Sequence, residues 1–252
     1  MIPRESEGPK LLTPEILDEC LLERTDEWIV LNKPPGFVCH PSRSGPWSSI
    51  VGACREHFGI ERLHMPSRLD RETSGVLVLA VNPEAGKRLQ HAVGRGDTQK
   101  TYTAVLEGTL DSTVVVNAAI GKAGDEDWHS RQGVRQEGQA SVTEFTPLTH
   151  APGYTLVRVH PLTGRRHQIR VHAAHIGHPV VGDKLYGRHR EILPALLRGD
   201  ATEAEINQLP IQRHALHATE ILFRTPEGEL RFRAPLYTDI LEFWTSAVQS
   251  GV

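Results

Sequence analysis

Residues 67–75 read S-R-L-D-R-E-T-S-G, and an apolar run, V-L-V-L-A-V, follows at once. One carboxylate, Asp70, stands between Arg68 and Arg71. A glutamate, two hydroxyl residues and a glycine come next, and then a strand must begin. Most strings of this kind are solvated loops, whose ion pairs are worth about 0–1 kcal/mol. The chemical alternative is a carboxylate kept ionised by nearby cations, because opposite charge depresses an Asp pKa from its usual value near ~3.9. An ionised aspartate can attack an electrophilic carbon.

A second stretch, L-T-G-R-R-H-Q-I-R-V-H-A-A-H-I-G-H-P-V-V-G-D-K-L-Y-G over 162–187, concentrates cations and histidines. Thr163-Gly164 turns the chain out of a strand ending near His160 and into a helix. On that helix Arg166 and Arg170, four apart, share a face, as do His167 and Val171. Arg170, Val171 and Ala174 suit a helix that lies over a core and offers one cation outward; a plain surface arginine fits the same spacing. His167, His172, His175 and His178 lie close together, but the helical zinc pattern needs a glutamate between two histidines. No acid lies between these four, and their steps of five, three and three do not keep them on one face. No metal site is expected. The chain also lacks a G-x-S-x-G nucleophile frame, a P-loop and G-x-G-x-x-G. In Q-K-T-Y-T-A-V-L-E-G, 99–108, Tyr102 is either a cross-strand aromatic or a stacking surface for a base, with Lys100 near to meet phosphate.

These residues need elements to hold them. E-W-I-V-L-N-K reads as a first strand that ends at Pro34-Pro35-Gly36. Trp47 to about Phe58 reads as a helix. Val76–Val81 is a strand buried on both faces. Asn82-Pro83-Glu84 opens a helix that runs to about Val93 and stops at Gly94 and Gly96. Lys100–Glu107 alternates as a strand, 121–139 is a surface excursion, and strands follow at 140–148 and 154–160. Helical spacing returns at 168–176, a loop follows at 179–183, and one or two polar helices lie within 189–208. A hairpin, 215–223 with 229–233, and a terminal helix from about Thr238 to Val248 close the chain. Strands outnumber helices and several are joined as hairpins, so the expected class is α+β with a largely antiparallel sheet.

Net charge is −3 over 252 residues, which argues against bulk attraction to nucleic acid. Its distribution differs. Residues 62–100 carry +3 and residues 160–190 carry +5, with six of the fourteen histidines, on an otherwise acidic chain. Two basic blocks make an anion site if folding joins them, and cover separate surfaces if it does not. Cys20, Cys39 and Cys54 are an odd number, spaced by 19 and 15, so neither a disulfide framework nor a zinc ribbon is suggested. No apolar run approaches the roughly 20 residues that span a membrane, and M-I-P-R-E-S-E-G-P-K lacks a signal-peptide layout. The expected address is a reducing cytoplasm. Residues 1–10 read as a loose tail.

Five motifs occur in order: V-L-N-K-P-P-G at 30–36, R-L-D-R-E-T-S-G at 68–75, K-T-Y-T-A at 100–104, T-G-R-R-H-Q-I-R-V-H at 163–172 and H-P-V-V-G-D-K-L-Y-G at 178–187. Together they resemble the RNA pseudouridine synthase family, RluA-type branch, from about residue 27 to 236. The family usually has histidine before R-L-D; here it is Ser67. The resemblance implies a single catalytic domain over 21–252 after an N-terminal extension, 1–20, with two lobes around a mixed, mostly antiparallel sheet and a central RNA-binding cleft. It implies that the chain begins almost directly at that domain, without the small RNA-binding module of many relatives. The implied reaction detaches uracil from ribose, turns it over and rejoins it through C5, in tRNA or rRNA. Asp70 is then the catalytic carboxylate, Arg170 its partner and Tyr102 the aromatic that stacks on the flipped base. Arg68, Arg71, Thr73, Lys100, Arg165, His167 and Gln168 are implied substrate contacts, with Arg68 helping to displace the target nucleotide. Asn32, Lys33 and Pro34 are read as bracing the loop that carries Asp70. No metal, cofactor, membrane or obligatory protein partner is implied.

Overall fold

The computed structural model describes residues 10–40, 44–124 and 131–250. Most of the expected tail and residues 125–130 of the 121–139 excursion lie outside them. The chain forms two compact units, Met1–Lys100 with His217–Leu236, and Thr101–Leu216 with Tyr237–Val252. Strands and helices are numbered along the chain.

In the first unit β2 (Trp28–Lys33) pairs antiparallel with β1 (Leu21–Arg24), and along its whole length with β3 (Ser74–Ala80). Every position of β3 is buried, as its unbroken apolar run predicts. Strand β3 lies parallel to β10 (Leu216–Thr225), His217 beside Ser74 and Ala218 beside Gly75. Strand β10 then turns into an antiparallel hairpin with β11 (Gly228–Arg233). At the parallel step the backbones come so close that a Cβ on Gly75, whose φ is +115°, would sit 2.2 Å from the Ala218 carbonyl oxygen. Only glycine fits there.

Helix α1 (Pro14–Cys20) is capped by Thr13 and α2 (Ile50–Phe58) by Ser49. They bury Leu17, Cys20, Ile50, Ala53 and Cys54 in one cluster with Ile29, Leu31, Leu77 and Leu79. A fully buried side chain of this size contributes about 1.5–3 kcal/mol. Leu12, Leu17 and Cys20 belong to the stretch expected to precede the catalytic domain, and they sit in this core. The helix expected from Trp47 is broken: a 3-10 turn, Pro46–Ser48, ends at Ser49, whose extended backbone frees its side chain to cap α2. Helix α3 (Pro83–Arg95) starts at Asn82 as expected but passes through Gly94. Its stop is Gly96, which takes the left-handed position and donates to the Ala92 and Val93 carbonyls.

Among the described residues of the second unit the strand pairing is antiparallel. Strand β4 (Thr98–Glu107) pairs from Tyr102 to Glu107 with β9 (Tyr154–Pro161). Strand β9 pairs with β8 (Val142–Ala151), and β8 with β5 (Val114–Asn117). The excursion contains a short hairpin, β6 (Ile120–Lys122) with β7 (Gln132–Val134). Helices α4 (Gln168–His175), α5 (Leu193–Arg198), α6 (Glu203–Ile206) and α7 (Thr238–Gln249) complete it. Buried Arg213 forks onto Asp239 at 2.6 and 2.8 Å and so fixes the first turn of α7. The architecture is α+β and mostly antiparallel, with the β3–β10 step making it mixed. No helix among the described residues is long and apolar enough to cross a membrane.

Candidate active site

Lys33 ends β2 wholly buried. Its Nζ donates to the carbonyls of Pro34 at 2.9 Å, Phe37 at 3.0 Å and Arg71 at 3.1 Å. The Gly36 N–H also donates to the Arg71 carbonyl, at 2.8 Å. One ammonium therefore gathers the turn after β2 and the loop carrying Asp70 around a single point. Leu69 packs on the core, with its carbonyl 3.3 Å from Cys39 Sγ. The Thr73 N–H closes a turn onto the Asp70 carbonyl at 3.2 Å. Ser74 Oγ meets His217 Nδ1 at 2.9 Å, and His217 Nε2 reaches the Ala234 carbonyl at 3.4 Å. A carbonyl only accepts, so in the neutral imidazole Nε2 carries the proton and the serine donates to Nδ1.

Asp70 is thereby half-buried on a braced loop, with Thr73 buried behind it. The flanking arginines do not fold back onto it. Arg68 reaches His40 Nε2 at 3.1 Å, and Arg71 contributes its carbonyl to Lys33. Both arginine side chains are exposed. Asn32 Nδ2 donates to the Pro235 carbonyl at 3.0 Å, which fastens the same strand end.

Tyr102 is buried on β4 opposite Val159. Lys100 precedes it by two residues, and burial pushes its ammonium pKa down.

Helix α4 begins at Gln168, so Arg166 lies before its first turn and does not share a helical face with Arg170. The turn expected at Thr163-Gly164 is held by Gln168. Its Oε1 accepts from Thr163 Oγ1 at 2.7 Å and from the Arg165 N–H at 3.0 Å. Its Nε2 donates to the Val142 carbonyl and Thr143 Oγ1, both at 2.9 Å. Gln168, expected among the substrate contacts, is buried and ties this turn to β8. Arg165 is exposed, with Nε donating to the Ala140 carbonyl at 3.2 Å.

His167 has a φ of 56°, and among the described residues no other non-glycine has a positive φ. Its Nδ1 lies 2.9 Å from the Tyr186 hydroxyl. Arg170, in the first turn of α4, is buried and forks onto Asp183: Nε to Oδ2 at 2.6 Å and Nη2 to Oδ1 at 2.9 Å. Asp183 Oδ1 also accepts the N–H groups of Leu185 and Tyr186 at 2.9 and 3.0 Å. Burial alone would raise the Asp183 pKa; the Arg170 guanidinium and the two amides outweigh it and hold the carboxyl below its ordinary range. Gly182 before it has a φ of +73°, and a Cβ there would meet the Arg213 carbonyl oxygen at 2.3 Å. Burial, then the charges of Arg170, Arg213, Lys184 and His167, push the His214 pKa well down. This part of the second unit is electropositive and buried.

The other histidines have structural partners. His172 reaches Thr143 Oγ1 at 2.8 Å and the Ala118 carbonyl at 2.9 Å, and His178 reaches the Glu107 carbonyl at 2.9 Å. His175 is exposed. Among the described residues no three His, Cys, Asp or Glu side chains converge on a metal-sized site. Sequence reasoning gave Asp183 and Tyr186 no role. The available signal was that Asp183 is the sole acid in the basic block 160–190.

The first unit thus holds a braced carboxylate loop, and the second a buried tyrosine and an arginine fixed by a buried fork. A profile of the family described as RNA pseudouridylate synthase matches residues 27–175. The chain is 32% identical over 225 residues to ribosomal large subunit pseudouridine synthase D of Vibrio cholerae, covering 86% of this chain and 67% of that protein. It is also 32% identical over 248 residues to the Escherichia coli K12 protein of the same description, covering 96% and 74%. Among solved structures, human RNA pseudouridylate synthase domain containing 1 matches with a TM-score of 0.66 and 26% identity, over 93% of this chain and 86% of that one. Human RNA pseudouridylate synthase domain containing 4 shares the fold, with a TM-score of 0.71 at 22% identity, over 92% and 94%. The chain belongs to the RNA pseudouridine synthase family, RluA-type branch, whose members are isomerases that convert uridine in RNA to pseudouridine.

Proposed function

We propose that the chain modifies one or a few uridines of large-subunit ribosomal RNA, with Asp70 as the catalytic carboxylate. The observation that carries the reading is the bracing of the Asp70 loop by the buried Lys33 ammonium. Desolvating an ammonium costs several kcal/mol, an expense that makes sense where a loop must hold one geometry. The ribosomal target follows the descriptions of the bacterial relatives; a transfer RNA is the alternative outcome of the test.

In this reading the target uridine leaves its stack, at a cost of a few kcal/mol. Asp70 attacks or assists cleavage of the glycosidic bond, Tyr102 supports the turned base, and Arg170 orients the Asp70 carboxylate. The guanidinium suits that task because its planar fork is already aligned by Asp183 through one edge. Exposed Arg68 and Arg71 and half-buried Lys100 meet the RNA, with Thr73, Arg165 and His167 completing the contacts. The reaction is an isomerisation with no net redox change. The catalytic domain runs over 21–252, with 1–20 an extension whose Leu12, Leu17 and Cys20 pack in its core, and the protein acts in the cytoplasm.

The test is site-resolved pseudouridine mapping of total RNA lacking native modifications, incubated with the protein or with Asp70→Asn or Asp70→Ala. Product at one or a few ribosomal uridines, abolished by either substitution while RNA binding stays within a few-fold, supports the reading. Product that survives Asp70→Ala, or RNA binding that falls as steeply as product, overturns the assigned role.

A further inference from the structure

Several contacts meet at Tyr186. Its ring centroid lies 5.1 Å from the guanidinium carbon of Arg170, and 6.0 Å from that of Arg131. Its hydroxyl is 2.9 Å from His167 Nδ1 and accepts the Gln132 N–H at 2.9 Å. Its own N–H donates to the Asp183 carboxylate that forks onto Arg170. One residue thus touches the start of the arginine's helix, the arginine itself, the carboxylate that pairs with it, and β7.

His167 gives this meeting point its significance. A left-handed backbone is uncommon outside glycine and persists where surroundings over-determine it. Here the imidazole is held by the Tyr186 hydroxyl and packs edge-on to its ring, with centroids 5.7 Å apart at 76°. The next residue begins α4, and Arg170 lies within that first turn. Whatever sets the His167 backbone therefore sets where the helix starts and how the guanidinium is aimed. Asp183 fixes the Nε/Nη2 edge of the guanidinium. The tyrosine ring adds a constraint on its face.

We propose that Tyr186 is a positioning residue for Arg170. Its hydroxyl pins His167 in the left-handed conformation and ties the head of α4 to β7, while its ring and the Asp183 fork hold the plane of the guanidinium. The proposal rests on the reading that Arg170 serves the reaction. A fraction of an ångström at an orienting group is costly in rate, because the reacting geometry must be near attack before the chemistry begins.

The experiment uses Tyr186→Phe, which keeps the ring and removes only the hydroxyl, and Tyr186→Leu, which removes both. Four quantities are read: pseudouridine formation in a single turnover at saturating RNA, RNA Kd, thermal unfolding, and water exchange of the Arg170 Nε–H by nitrogen-15 NMR, assigned with Arg170→Lys. In Tyr186→Phe the saturating rate should fall about tenfold, the size of one misplaced hydrogen bond, with Kd within about twofold. Exchange at Arg170 Nε–H should quicken, and Tyr186→Leu should be slower in turnover than Tyr186→Phe. A lowered unfolding temperature with wild-type saturating rate and wild-type exchange would mean packing alone, and overturns the proposal. If the wild-type protein forms no pseudouridine on any RNA, the functional reading fails by itself. The exchange comparison then still decides: faster exchange in Tyr186→Phe supports the positioning role, and unchanged exchange overturns it.

Discussion

Replacing Lys33 by methionine should weaken the first unit and loosen the Asp70 loop, although methionine has nearly the same reach and no charge to desolvate. The ammonium makes three hydrogen bonds of 2.9–3.1 Å to backbone carbonyls. A hydrogen bond to a charged group is worth about 1.5–3 kcal/mol, so the three amount to roughly 4.5–9 kcal/mol gross. Against that stands the cost of burying the ammonium, several kcal/mol, which methionine avoids. The remaining loss comes from carbonyls deprived of a donor, about 1–3 kcal/mol each. The Arg71 carbonyl keeps the Gly36 N–H at 2.8 Å, so its share is small. A net loss of about 2–6 kcal/mol follows, set mainly by Pro34 and Phe37. Urea unfolding read by tryptophan fluorescence measures it. With an m-value near ~3 kcal/mol/M, the midpoint should fall by about 0.7–2 M. Turnover on RNA should drop further than the folded fraction explains, with RNA Kd preserved, because the Arg71 carbonyl loses its tie to β2. A methionine variant within about 0.5 kcal/mol of wild type would refute the reasoning, since the three bonds would then do no more than offset desolvation.

Gly75→Ala should cost well over the ~1–3 kcal/mol of ordinary overpacking, because the new Cβ meets the Ala218 backbone and the φ of +115° is strained for alanine; unfolding at wild-type stability would contradict the close approach. For Asp183→Asn the loss should be about 3–5 kcal/mol near neutral pH. The folded pKa of Asp183 is depressed, so its stabilisation is present above the ordinary carboxyl value of 3.8 and is lost as pH falls through the folded value. The gap between variant and wild type should therefore hold at pH 5–7 and narrow below ~4, and a gap that widens in acid would reverse the sign. Burial pushes the thiol of Cys20 up to about 11 and that of Cys54 to about 12, and raises Cys39 as well. Because the thiolate is the reactive form, no cysteine should react quickly with a disulfide reagent in the native protein at pH 8. All three should react after unfolding; a fast native thiol would sink this account.

Local chemistry was enough to place much of the frame. The apolar run after Gly75 is β3, Asn82-Pro83 is the start of α3, and Pro226-Glu227 turns between β10 and β11. Each is decided within a few residues, by side-chain period, cap or turn geometry. The five ordered motifs likewise carried the family without any coordinates. Helix α1 and strands β1 and β5 escaped because they are four to seven residues long, too short for a period to register.

Partnership at a distance was a matter for the tertiary structure. Ser74 meets His217 143 residues along the chain, and the parallel register of β3 on β10 decides that Gly75 can bear no side chain. The sequence put Asp70 between two arginines, yet Arg68 turned to His40 and Arg71 gave only its carbonyl. The spacing of Arg166 and Arg170 predicts a shared helical face, but His167, in a left-handed conformation, starts the helix two residues too late for Arg166. Asp183 became the partner of Arg170 because the Gly182 turn carries it there. Propensity and periodicity act over one turn or one strand, whereas an ion pair or a close backbone approach depends on which segments the core brings within ~4 Å.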